Sequence, residues 1–180
     1  MDITTAYSIN GLFASPCWLA FPVLAFISFV AIFIVKGRAK AIPIILTVVT
    51  VLIYGTALFL SMYTYSILSN AEVTYDTPGT RNIRAELADR YTVRFTNEDV
   101  EAWTFGEYYR LQILLGSKWY NVEAKADYAV HDLAYELQPG QSILMPYDMD
   151  PFEPMASGHY RLVCGGLGNG SGEYYVEFDV

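Results

Sequence analysis

Few side chains in this 180-residue chain are of the kinds that do chemistry, and they are scattered along it. The two histidines, His131 and His159, lie in separate strand-like stretches, and neither has a cysteine or carboxylate at zinc-ligand spacing. Of the two cysteines, Cys17 falls in an apolar run and Cys164 in a distant strand pattern, so no internal disulfide is expected and Cys164 reads as a small buried hydrophobe. Asp148, Asp150 and Glu153 could present three carboxylates from one turn, the oxygen donors calcium prefers. The turn lacks the glycine and spacing of a dedicated calcium loop, so it reads as a solvated acidic turn with no metal; Glu98, Asp99 and Glu101 read likewise. Trp103, Phe105, Tyr108 and Tyr109 form the densest aromatic cluster outside the apolar runs, suited either to a core or to an exposed platform for peptide or glycan. Asn169-Gly170-Ser171 matches a glycosylation acceptor. With no HExxH, nucleophile elbow or phosphate-cradling loop, the chain is expected to be neither an enzyme nor a cofactor protein.

The elements that must position these residues are short strands. Tyr91, Val93 and Phe95 alternate with Thr92, Arg94 and Thr96; Leu111 and Ile113 alternate with Arg110 and Gln112; Tyr174, Val176, Phe178 and Val180 alternate with Tyr175, Glu177 and Asp179. Period two marks half-buried strands. Gly116-Ser117 offers a two-residue hairpin turn into Lys118 to Glu123. Further strands are predicted at Gln141 to Tyr147 and His159 to Cys164, with weaker ones at Ile83 to Leu87 and Tyr128 to Leu137. Seven or eight short strands without a convincing helix predict an antiparallel β-sandwich over residues 82–180. Gly158-His-Tyr160 places a tyrosine at a strand start just after a turn, the pattern of a tyrosine corner, and turns Arg161 outward to solvent.

The ordered set Phe105-Gly-Glu-Tyr-Tyr-Arg-Leu-Gln112, Gly116-Ser-Lys-Trp119-Tyr-Asn-Val122, Leu137-Gln-Pro-Gly140-Gln-Ser142, Gly158-His-Tyr160-Arg161 and Glu173-Tyr-Tyr-Val-Glu-Phe178 resembles a bacterial immunoglobulin-like domain family over roughly residues 82–180. The resemblance implies an extracytoplasmic sandwich without a common catalytic activity, in which Tyr160, Gly158 and Trp119 are structural. Such domains usually follow a lipid anchor or signal peptide, and this chain departs from that.

It has instead two uncharged apolar runs. Cys17 to Val35 would span about 28 Å as a helix, and Ile42 to Leu68 about 40 Å, so a transmembrane hairpin is expected. Its loop, residues 36–41, holds Lys36, Arg38 and Lys40, whereas residues 1–15 hold only the charge of Asp2. The positive-inside rule makes the loop cytoplasmic and places both termini and the C-terminal domain outside the plasma membrane. Trp18, Tyr63 and Tyr65 would belong to the outer aromatic belt, and a leader peptide would carry its cations before the apolar core rather than after it. Residues 69–81 read as a tether.

From Asn70 onward lie 18 of the 19 acids and 8 of the 11 bases, a net charge of −10, which disfavours nucleic acid as a partner. The expected function is a membrane-anchored module that binds or scaffolds another component of the cell envelope. The alternative is an accessory subunit of a membrane enzyme or transporter complex, because two spans without an ionisable residue enclose no pathway of their own.

Overall fold

The computed structural model describes residues 1–13, 20–37, 41–74, 77–125, 133–166 and 172–180. Cys17, Trp18, Arg38, Lys40, His131, the first part of the strand expected from Tyr128, and the Asn169 acceptor lie outside them. The chain divides into two compact units, Met1–Asn70 and Ala71–Val180.

The first unit is helical: α1 (Ile3–Phe13), α2 (Ala20–Ile34) and α3 (Ala41–Ala71). Helix α1 lies in residues 1–15, for which the sequence carries no secondary-structure expectation. Asp2 starts it, accepting the Thr5 amide at 2.9 Å and the Thr4 hydroxyl at 2.5 Å, and these bonds hold its carboxyl down to about 2. In α2 and α3 a proline, Pro22 or Pro43, occupies the first turn, where no intrahelical N–H is lost. Within α3 the Thr47, Thr50 and Thr56 hydroxyls bond back to the carbonyls four residues earlier at 2.7 to 2.8 Å, so these polar groups are satisfied within an apolar helix. Among the described residues α3 alone is long and apolar enough to cross a membrane; α2 has 15 residues, fewer than the expected first span. Pro22, Ala25, Phe26, Phe29, Thr47, Val51, Tyr54 and Gly55 line a groove of about 470 Å³ between α2 and α3.

The second unit is antiparallel β. Its strands are β1 (Ile83–Asp89), β2 (Thr92–Asn97), β3 (Trp103–Leu115), β4 (Lys118–Asn121), β5 (Ala134–Leu137), β6 (Ser142–Pro146), β7 (His159–Gly166) and β8 (Glu173–Asp179). One sheet runs β1-β2-β6; the other runs β4-β3-β7-β8, with β5 also paired to β3. Gly116, at φ +66, makes the β3–β4 turn as its sequence predicts. Val93, Phe95 and Met145 of the smaller sheet face Tyr109, Leu111, Ile113, Tyr160, Leu162, Cys164 and Val176 of the larger, all at most 6% exposed.

Residues 72–73 and 77–79 are paired rather than a free tether. Glu72 bridges to Tyr120, the Val73 amide donates to Trp119 O at 2.9 Å, and Lys118 Nζ sits 2.6 Å from Glu72. Further on, the Gly79 amide donates to Glu173 O at 3.0 Å and the Glu173 amide to Thr77 O at 2.7 Å. Because β4 and β8 are the two outer strands of the four-strand path, this segment is fastened to both edges of the larger sheet.

Candidate functional site

Tyr160 is the second residue of β7, and its Oη donates to Ala156 O at 2.7 Å while its ring, 2% exposed, stacks on Phe178. That is the tyrosine corner. Gly158 beside it exchanges two backbone hydrogen bonds with Val180, at 3.0 and 3.1 Å, closing the far end of the β7–β8 pair.

Arg161 does not face solvent as expected; it is 4% exposed. Its guanidinium lies between Trp119 at 4.4 Å and Tyr175 at 4.5 Å, and its Nε donates to Gln112 Oε1 at 2.6 Å. Gln112, fully buried, passes a 2.9 Å bond to Asn121. The outward face of the larger sheet therefore carries its own small desolvated cluster, in which Arg161 gains cation–π energy on two rings. Trp119 is structural in this sense. Its other neighbour is His159, ring centroids 5.8 Å apart, which lies between Asp179 and Glu177. Bonds to Asp179 first and Glu177 second raise the His159 pKa above its ordinary value.

The aromatic cluster resolves against an exposed platform. Trp103, Phe105 and Tyr109 are 3%, 1% and 5% exposed, and only Tyr108, at 60%, faces out. Trp103 stacks on Phe105 at 4.2 Å, and Phe95 from the opposite sheet closes on both at 5.4 and 5.5 Å. The physical reason is strand alternation: Trp103, Phe105 and Tyr109, at odd positions of β3, face the other sheet, and Tyr108, at an even one, faces out. The Trp103 Nε1 has no hydrogen-bond partner among the described residues.

The acidic turn is a plug for the core's open side. Met149, Pro151 and Phe152 are buried, whereas Asp148, Asp150 and Glu153 point away. Asp148 accepts the Asp150 amide at 3.0 Å, Glu153 accepts the Met155 amide at 3.3 Å, and the Tyr109 hydroxyl donates to Asp148 O. The Asp148 and Glu153 carboxylates thus accept from different backbone amides, and among the described residues no group of three His, Cys, Asp or Glu is placed to hold a metal. Cys164 is buried, and desolvation pushes its thiol up to about 12, which disfavours the thiolate. The Tyr147 hydroxyl neighbours it without hydrogen-bond geometry, and burial raises that phenol too.

The residue that sequence reasoning missed is Asn97, fully buried at the end of β2. Its Nδ2 donates to Glu101 O at 2.9 Å and Leu137 O at 2.8 Å, and its Oδ1 accepts the Asp99 amide at 3.0 Å. One side chain thereby organises the β2–β3 loop and holds β5; an asparagine ending an alternating strand was the available signal.

A profile described as bacterial Ig-like domain matches residues 69–175, which covers the paired segment and seven complete strands up to the start of β8. The chain belongs to the bacterial Ig-like domain family. This Ig-like chain also resembles parts of two solved β-glucosidases. One, from intestinal bacteria and involved in saponin metabolism, is 17% identical over 58% of this chain and 16% of that one, with a TM-score of 0.25. The other, from Erythrobacter marinus, is 14% identical over 52% and 14%, with a TM-score of 0.20. The chain thus spans less than a fifth of either enzyme. No curated protein matches it.

Proposed function

We propose that this protein is a membrane-anchored, extracytoplasmic Ig-like module that binds or scaffolds another component of the cell envelope. The observation that carries the reading is α3: 31 residues without a charge, ending at Ala71 where the Ig-like unit begins. A stretch of that length and composition suits a bilayer, and a water-soluble sandwich follows it at once. The Cys17 to Val35 run supplies a first span, and Lys36, Arg38 and Lys40 between the runs orient the hairpin with the domain outside.

A second reading, an accessory subunit of a membrane enzyme or transporter complex, is favoured by the groove between α2 and α3. Gly55 lines it, and a Cβ added there would meet no atom within 4 Å beyond its own helix backbone, so the groove leaves room for a neighbouring transmembrane segment. Photo-crosslinking in intact cells separates the two. A crosslinker at Tyr108 should capture a specific envelope protein if the domain is the binding element; capture only from Phe26 supports the subunit reading, and capture from neither site overturns both.

A further inference from the structure

Both ring nitrogens of His159 face carboxylates of β8. Nδ1 lies 2.7 Å from Asp179 Oδ1, and Nε2 lies 3.0 Å from Glu177 Oε2. An ionised carboxylate only accepts hydrogen bonds, and a neutral imidazole has one N–H to donate, so the arrangement is complete only with an imidazolium. The other charges around the ring are balanced elsewhere. Arg161, two residues along β7, is taken up by Gln112, Trp119 and Tyr175; Lys118 on β4 pairs with Glu72; and Arg110 on β3 pairs with Glu173. The two acids of β8 are what the ring faces.

The position of this cluster gives it a consequence. Strand β8 ends the β4-β3-β7-β8 path, and its last residues are held to β7 by the Asp179–His159 register pair and by the two backbone bonds between Gly158 and Val180. We propose that His159 is a proton-operated fastening of this strand end: as imidazolium it bonds β7 to both Glu177 and Asp179, and on losing its proton it surrenders one of them and loosens the end of β8. The folded domain binds the proton more tightly than the unfolded chain does. The stabilisation is therefore complete below the unfolded value of about 6.5 and is lost as pH rises through the higher folded midpoint.

The test uses the full chain in lipid nanodiscs with ¹³C-labelled histidine. The sequence has two histidines, so His159→Gln assigns both signals. His159 should titrate above 6.5, and Asp179→Asn and Glu177→Gln should each lower its midpoint, the pair together more than either. Amide-exchange protection factors at Gly158 and Val180 should fall about two- to fivefold as pH crosses that midpoint, the scale of partly exposed ion pairs. In His159→Gln they should stay flat. A midpoint at or below 6.5, a midpoint that neither carboxylate variant moves, or protection that ignores pH would each overturn the proposal. The carboxylate variants keep the histidine in place and so test it even if His159→Gln fails to fold.

Discussion

Tyr160 and Arg161 are neighbours that point to opposite faces of one strand, yet both are almost fully buried, and each can be tested by a substitution. Tyr160→Phe removes the donor to Ala156 O and keeps the ring; because Ala156 is exposed, water can replace that donor, and the expected cost is about 1 kcal/mol. Tyr160→Ala also empties a ring-sized volume against Phe178 and should cost about 3 to 5 kcal/mol. Arg161→Ala strands Gln112 and unstacks Trp119 and Tyr175, so about 2 to 4 kcal/mol is expected where an outward arginine would ordinarily cost almost nothing. Denaturant unfolding of the three variants, followed by near-UV circular dichroism, measures all of these; a neutral Arg161→Ala would show that the outward cluster adds no stability. The corner was legible because it depends on local order, a turn followed by a tyrosine. The burial of Arg161 was not, because its partners Gln112, Trp119 and Tyr175 come from three other strands, and single-strand alternation says only which way a side chain points.

At the level of elements the same division holds. Strands β2, β3, β7 and β8 and the Gly116 turn follow from period-two alternation and turn chemistry. The residues on either side of Tyr75-Asp76 have no alternation to betray them; Val73, Thr77 and Gly79 pair through backbone bonds to Trp119 and Glu173, which are remote in sequence. The fit is tight at two glycines. A methyl on Gly172 would run into the Gly79 backbone, and one on Gly79 would overlap the Tyr174 ring. Gly172→Ala must therefore push the segment off β8, and the expected result is a loss of about 2 kcal/mol or more. Gly158→Ala is the control, since its nearest neighbour would be the flexible end of Ile113 at 3.3 Å, and a change within about 1 kcal/mol is expected. If the two variants melt at the same temperature, the segment is not packed on β8 as described. The acidic turn belongs at this scale as well: with Asp148 and Glu153 accepting from separate backbone amides and no three ligands grouped among the described residues, a chelator should leave the melting temperature of the sandwich unchanged, whereas a fall of several degrees would reveal a metal site.

For the whole molecule, the change in polarity near Asn70 is the clearest sign in the sequence, and the boundary between compact units falls there, after Asn70. Which side of a membrane the Ig-like unit occupies depends on few charges. Three cations lie between the apolar runs and one acid precedes them, while the Ig-like unit carries a net charge of −10, which by itself exerts little control on orientation. The prediction follows from the cations. In cells stripped of any outer barrier, added protease should digest the Ig-like unit and leave residues 36–41 intact until the membrane is permeabilised. Replacing Lys36, Arg38 and Lys40 together by Gln and adding three Lys before Ile3 should invert the chain, so that the loop is cut first and the sandwich is protected. Digestion of the loop before the sandwich in the unaltered protein would reverse the proposed orientation and, with it, the assignment of the binding face to the outside of the cell.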